Sequence, residues 1–344
     1  MIKTIKPEAF FKAMQTIPVL DVRSPGEFEY GHLPGSINMP ILEDHQREEI
    51  GILYKKHGKE AAFDRGLELI GPKMAHFVRR ARRKLPGKKV LIHCWRGGMR
   101  SASMSWLLTM AGFDCQLLEG GYKAFRNYGK EQMSLAQHCY IIGGYTGSAK
   151  THVLYELKNL GEQILDIEME AHHRGSSFGA IGQEEQVNNE QFENNLICLW
   201  LDFDLSKTIW VEDESRILGS NHLPAELYET IRKSKVFKLN IPLKTRAQNL
   251  KVDYAHLQRS ELEQAIRRIE KKLGGQHMQK AIDALNNDDP LTVAEISLVY
   301  YDKTYEYGLS KRDQDSIIEI DQTLSQPEEI AKHLIHIANQ MQSS

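Results

Sequence analysis

The same local pattern occurs twice in this chain: a short apolar run, a glycine-bearing loop, then a helix-forming stretch. In the first copy Val90-Leu91-Ile92 enters His93-Cys94-Trp95-Arg96-Gly97-Gly98-Met99-Arg100, and Ser101-Ala102-Ser103-Met104-Ser105-Trp106-Leu107-Leu108 follows. In the second, Tyr140-Ile141-Ile142 enters Gly144-Tyr145-Thr146-Gly147-Ser148-Ala149-Lys150-Thr151. An uninterrupted apolar run suits a strand covered on both faces, and the helix that starts at the loop supplies one cover. The pattern therefore demands α/β architecture, with any chemistry at the carboxyl ends of the strands.

Apolar runs at 19–22, 36–39, 90–93 and 116–119 make a first open sheet, and runs at 140–142, 163–167, 208–211, 236–241 and 317–320 make a second. At 344 residues each half is long enough to bury its own core. The expected organisation is one α/β domain over 1–130 and another over 138–344, joined by the polar, helix-prone segment 123–137. No strand signal appears between Thr245 and Arg312, where 250–273 and 291–301 have helical spacing, so the second domain carries a helical insertion at about 245–312. Pro327 opens a last helix.

Net charge is −2, so any surface for nucleic acid has to be local. There is no run long and apolar enough for a membrane span, and the start lacks a signal-peptide core; a cytoplasmic protein is expected. The four cysteines, Cys94, Cys115, Cys139 and Cys198, form no CxxC pair, which argues against a zinc site and a disulfide framework. Three lie in or beside apolar runs and read as structural thiols.

Cys94 is different. A thiolate at neutral pH needs positive potential from backbone N–H groups, a helix amino end or arginines. Gly97 and Gly98 let the backbone curl inward, the following helix aims its amino end at the thiol, and Arg96 and Arg100 add charge. This loop is expected to hold an anion beside a reactive cysteine.

The second loop has the spacing of a phosphate-binding P-loop. Its backbone N–H groups, at Gly144, Gly147 and Ser148, would face phosphate oxygens; Lys150 would neutralise charge and Thr151 would meet a magnesium ion. Ala149 stands where the usual pattern has its last glycine. Acids after the 208–211 strand suit a metal-holding role, with Asp213 the first choice and Glu212 the next. His172 and His173 read as surface residues rather than ligands.

The stretch from Asp21-Val22-Arg23 through Gly31-His32-Leu33-Pro34-Gly35-Ser36-Ile37-Asn38-Met39-Pro40 resembles the signature of rhodanese-like domains, sulfurtransferases whose cysteine carries a persulfide. Cys94 and Arg100 lie six apart. Many single-domain rhodaneses use five, and the longer loop resembles that of rhodanese-related phosphatases. Taken whole, the chain resembles the tRNA 2-selenouridine synthases, a rhodanese-like domain fused to a P-loop domain. The match runs through 94–101, Glu119-Gly120-Gly121-Tyr122-Lys123-Ala124, the P-loop, His173-Arg174-Gly175-Ser176-Ser177-Phe178-Gly179 and Glu212-Asp213-Glu214-Ser215-Arg216 to Pro224.

That resemblance implies a transferase that replaces the sulfur of wobble 2-thiouridine in tRNA by selenium from selenophosphate, through an S-geranylated intermediate made from geranyl diphosphate. Selenophosphate would sit at Cys94, Arg96, Gly97, Gly98 and Arg100, and the diphosphate at Gly144, Gly147, Ser148, Lys150 and Thr151. Magnesium would be held by Thr151 and Asp213. For the tRNA, the acid-free cluster Arg79, Arg80, Arg82 and Arg83 is one candidate surface, and Arg267 with Lys271 in the helical insertion is another. Tyr300, Tyr301, Tyr305 and Tyr307 are candidates for stacking an anticodon base. A persulfide sulfurtransferase coupled to a P-loop NTPase, and a regulatory anion-binding module, stay open as alternatives.

Overall fold

The computed structural model describes residues 3–175, 179–254, 258–320 and 326–343. The chain divides into two compact units. One comprises residues 1–132 together with 190–201, and the other 133–189 together with 202–344.

In the first unit the elements run β1 (Lys3–Ile5), α1 (Pro7–Met14), β2 (Val19–Asp21), α2 (Pro25–Tyr30), β3 (Ile37–Asn38), α3 (Asp44–Ile70), α4 (Met74–Lys84), β4 (Lys89–His93), α5 (Met99–Met110), β5 (Asp114–Leu118) and α6 (Gly121–Met133). The strands pair in parallel in the order β1-β5-β4-β2-β3. β4 sits at the centre, and its residues from Val90 to His93 are all buried, as its continuous apolar run requires. Leu20, Ile92, Met104, Leu108 and Leu117 lie in the core on one side of this sheet. β1 was not expected: three residues, Lys3-Thr4-Ile5, form an edge strand too short and too polar to show periodicity.

The chain continues with β6 (Cys139–Gly144), α7 (Lys150–Asn159), β7 (Gln163–Leu165), α8 (Ile167–Ala171), α9 (Asn189–Leu201), β8 (Ile209–Glu212), the short pair β9 (Ile217–Leu218) and β10 (Asn221–His222), α10 (Ala225–Lys233) and β11 (Lys235–Leu239), all but α9 in the second unit. α11 (Leu243–Tyr254), α12 (Arg259–Arg268), α13 (Glu270–Leu273), α14 (Gly275–Asn286) and α15 (Pro290–Leu309) form the helical insertion, before β12 (Ile317–Ile320) and α16 (Pro327–Gln342). The sheet is again parallel, in the order β12-β11-β6-β8-β7, with β6 central. The insertion has its own apolar cluster around Ala265, Ile266, Ala281 and Ile282.

One segment departs from the expected boundaries. α9 falls in the sequence of the second domain, yet residues 190–201 belong to the first unit. Its face of Phe192, Leu196, Ile197 and Trp200 is fully buried. Ile197 lies so close to α6 that a Cβ at Gly129 would meet its Cγ2 at 2.2 Å. Among the described residues no helix is long and apolar enough to cross a membrane.

Candidate functional sites: a cysteine loop and a P-loop cleft

Both loops singled out by the sequence leave the carboxyl end of a central strand, β4 or β6, which is where open parallel sheets put their ligands. The cysteine loop is held by glycines at positions where side chains could not fit. Gly97, Gly120 and Gly121 all have left-handed backbones. A Cβ on Gly121 would lie 2.4 Å from the carbonyl oxygen of Cys94 and 2.4 Å from the nitrogen of Gly97. Behind it, the Tyr122 amide donates to the Cys94 carbonyl at 2.9 Å, and the Lys123 amide to that of Trp95 at 3.1 Å. The sequence hinted at this only through its glycine pair.

Cys94 is 2% exposed, and its Sγ lies 3.2 Å from the Ser101 hydroxyl in the first turn of α5. The two loop arginines are deployed differently. Arg100 donates to Glu27 at 2.5 Å, so its charge is shared with a carboxylate; Arg96 is exposed and has no hydrogen bond or ion pair among the described residues. Burial works against the Glu27 carboxylate, but Arg100 holds it below the usual range.

Beneath the loop lies a polar group that the sequence did not reveal as a set. Arg23 and Asp21 are fully buried and paired at 2.6 Å, and the guanidinium stacks 3.9 Å over the Tyr122 ring. Burial opposes the Asp21 charge, yet His93 and Arg23 hold its carboxyl below the ordinary value. His93, next to Cys94, is wholly buried with no hydrogen-bond partner for either ring nitrogen, its Nε2 lying 3.8 Å from the Asp21 carboxylate, and burial pushes its pKa down against the pull of that charge. Tyr122 in turn accepts from Asn194 at 2.6 Å and donates to Glu190 at 2.9 Å, both on α9. The other cysteines stay structural in character: burial raises Cys115, and pushes Cys139 up to about 11.

The P-loop opens onto a cleft of about 1040 Å³. Lys150 donates to the Gly144 carbonyl at 3.2 Å, and Thr151 donates to Glu212 at 2.7 Å. Ala149 takes the left-handed conformation, φ 57°, that its usual glycine would adopt, so its methyl is a source of strain of about 1–3 kcal/mol. The helical insertion braces this loop from outside. Arg246, buried and paired with Asp302 at 2.7 Å, donates to the Thr146 carbonyl at 3.2 Å, and Asn249 donates to that of Gly147 at 2.9 Å. The hydroxyl of Tyr305 accepts from the Gly144 amide at 2.8 Å, which makes this tyrosine a prop for the P-loop.

Asp213, expected beside the magnesium position, is engaged elsewhere. It accepts from Arg312 at 2.5 Å and from Tyr305 at 3.1 Å. β8 runs one residue further than expected, and neighbouring residues of a strand face opposite ways. Glu212 thus meets Thr151. Glu168 and Glu214 join it: the three carboxylates offer oxygens within 4.8 Å of one another. Burial and then the charge of Glu168 push Glu212 up to about 8, and burial with mutual repulsion raises Glu168 and Glu214 as well, against the pull of Lys150. Thr151 and Glu212, with the unpartnered second oxygen of Glu212, are a fitting set of hard oxygen donors for a magnesium ion.

His172 bonds the Glu185 carbonyl at 3.0 Å, and His173 is buried with its pKa lowered; neither joins the carboxylate group. Ser176, Ser177 and Phe178 of the quoted motif lie outside the described residues. On α4, Arg79, Arg82 and Arg83 are exposed without ion pairs among the described residues, whereas Arg80 donates to the Asn38 carbonyl at 3.0 Å. In the insertion Lys271 is exposed, but Arg267 is paired with Glu263 at 2.7 Å. Tyr300 and Tyr301 pack partly buried against the insertion's apolar cluster, and Tyr307 is 65% exposed.

Fold and loops together define a rhodanese-like domain followed by a P-loop domain. Residues 7–128 match the rhodanese-like domain family, and residues 137–334 match the family of the tRNA 2-selenouridine synthase AAA domain. A tRNA 2-selenouridine synthase of Bdellovibrio bacteriovorus is 38% identical over 74% of this chain and 69% of its own. Those of Shewanella woodyi and Nitrosomonas europaea are 34% and 31% identical, over 86% of this chain and 89% and 90% of theirs. A solved rhodanese-related protein of Thermoplasma volcanium is 21% identical over 37% of this chain and 93% of its own, with a TM-score of 0.24. This chain belongs to the tRNA 2-selenouridine synthase family.

Proposed function

We propose that this protein exchanges the sulfur of wobble 2-thiouridine in tRNA for selenium in two steps, one at each loop. The observation that carries the reading is the pairing of an anion-fitted cysteine loop with a P-loop cleft in one chain of this family.

Direct exchange is slow because sulfur leaves a thiouracil ring poorly. Alkylation solves this. The thiocarbonyl sulfur attacks C1 of geranyl diphosphate, the C–O bond breaks with departure of diphosphate, and the ring N3 proton is released. Lys150 and the amide of Gly147 take up the growing charge on the diphosphate, the Ser148 amide being turned to the Tyr145 carbonyl at 3.1 Å. A magnesium ion, held by Thr151 and Glu212, would neutralise more of it. The selenium of selenophosphate then attacks C2 of the ring, geranyl thiol leaves, and water hydrolyses the P–Se bond to give phosphate. Cys94, Gly97, Gly98 and Arg96 are the groups that would receive selenophosphate. Arg100 is placed to help through its bond to Glu27, which sets the charge around the loop.

The test is mass analysis of nucleosides from thiolated tRNA incubated with the full chain, geranyl diphosphate and selenophosphate, each omitted in turn. Selenouridine should require both, and S-geranyl-thiouridine should accumulate without selenophosphate. Cys94→Ala should stop selenium entry and leave geranyl transfer largely intact; Lys150→Ala should stop both. Selenation by either variant at the full rate sinks the assignment of that loop. Sulfur transfer from a Cys94 persulfide with nucleotide hydrolysis, and no selenophosphate dependence, would replace the whole reading.

A further inference from the structure

We infer that Glu168, Glu212 and Glu214 form a preorganised site for one hard divalent cation, magnesium or manganese, which fills before any diphosphate reaches the cleft. The inference rests on the proposed reaction only in that the cleft receives a diphosphate. It assigns the cation to a three-carboxylate seat rather than to the substrate that would bring it.

The three acids come from two separate segments: Glu168 from α8, Glu212 from the last position of β8, and Glu214 from the loop after it. Their oxygens converge within 4.8 Å. Three carboxyls gathered at that distance cannot all be ionised unless a cation lies among them. The chain treats the neighbouring acid quite differently, because Asp213 is neutralised by the buried Arg312 at 2.5 Å. For the other three, Lys150 is the cation whose field is felt, one positive charge against three carboxyls.

A second observation points to a ligand. Glu212 is 0% exposed; its first oxygen takes the Thr151 hydroxyl and its second has no partner. A buried carboxylate oxygen left unsatisfied is costly, and a metal ion is the partner that also relieves the repulsion. The roof over the group is Gly175, whose backbone is left-handed and whose absent Cβ would lie 2.8 Å from an oxygen of Glu168 and 2.8 Å from one of Glu214. A bare glycine there leaves both oxygens uncovered. All the donors are hard oxygens, with no sulfur or imidazole in the group, and such a set selects magnesium, manganese or calcium over zinc.

The test uses the full chain, stripped with EDTA and desalted, then titrated with Mn2+ alone while free Mn2+ is followed by its EPR signal. One Mn2+ should bind per chain without diphosphate, and Mg2+ should displace it. Glu168→Gln and Glu214→Gln should each weaken binding at least about tenfold, with melting curves that show the variants folded. Glu184→Gln, on the rim of the same cleft, should bind Mn2+ like the parent. Absence of stoichiometric Mn2+ binding, or parental affinity in both triad variants, overturns the inference. If Mn2+ binds only after inorganic diphosphate is added, the preformed site falls while the diphosphate reading stands. If Mn2+ binds as expected but no geranyl transfer occurs in the reaction above, the reading of the substrate falls and the metal site stands.

Discussion

The cysteine loop and the P-loop use one backbone device, a glycine-bearing turn at the end of a central parallel strand, but their surroundings are charged in opposite senses. Under the cysteine loop each acid is answered by an arginine: Asp21 by Arg23, and Glu27 by Arg100. In the P-loop cleft Asp213 is answered by Arg312, whereas Glu168, Glu212 and Glu214 gather with Lys150 as the cation whose field they feel. The difference teaches that loop geometry sets where an anion goes, while the second layer of charges decides whether the empty site is neutral or waits for a cation.

The sharpest way to break the comparison is at the backbone. Gly121→Ala forces a Cβ into the Cys94 and Gly97 main chain, so selenium incorporation should fall by more than about a hundredfold, equivalent to roughly 3 kcal/mol of lost transition-state stabilisation. Geranyl transfer measured on the same variant should stay within a few-fold. Equal loss of both activities would mean that the loops do not act separately.

Next in size is Asp21→Asn. Removing one member of this buried pair strands the Arg23 charge, which typically costs about 3–5 kcal/mol. Denaturant melts should show it as a shifted midpoint, and a destabilisation below about 1 kcal/mol would remove the pair from the account of the first unit's stability.

The pH response should have opposite signs in the two regions. Asp21 and Glu27 are held below their unfolded values, so their contribution is present above about pH 4 and is lost as pH falls through the folded values. Glu212 is raised to about 8 from an unfolded value of 4.5. Between those limits the folded state keeps a proton that the unfolded state has released, so stability declines as pH rises from 4.5 through 8. Metal-free protein should therefore melt lower at about pH 9 than at about pH 6, and Glu212→Gln should flatten that decline. An unchanged slope in the variant would show that the carboxyl is not under this strain.

The smallest effect concerns exposed arginines outside both loops. Neutralising Arg79, Arg82 and Arg83 should weaken tRNA binding and reduce the salt slope by about 0.7 to 0.9 for each phosphate that is no longer neutralised. Arg80 is left intact because it bonds the Asn38 carbonyl. An unchanged slope would turn attention to Lys271 in the insertion.

How much of this was legible in sequence follows from the range of the interactions. The two loops, their strands and the helical insertion announce themselves locally, through apolar runs, glycines and helical spacing. The carboxylate seat does not. Choosing Glu212 over Asp213 depends on one residue of strand register, and the partner that removes Asp213, Arg312, lies 99 positions away in sequence. The same holds for Glu27 and Arg100, 73 apart. A basic loop read in isolation looks more cationic than it is, because the acid that answers it sits elsewhere in the chain.

The placement of α9 bears on how the protein is made. Synthesis proceeds from the amino end, so when residue 132 has left the ribosome the first unit still lacks its last helix, which arrives only with Leu201. Until then the surfaces that receive Phe192, Ile197 and Trp200 stand open, and the hydroxyl of Tyr122 waits for Asn194. A nascent chain in that state must be protected or fold late, and a gene cut between the two domains would yield one fragment missing a helix and another carrying it without a home.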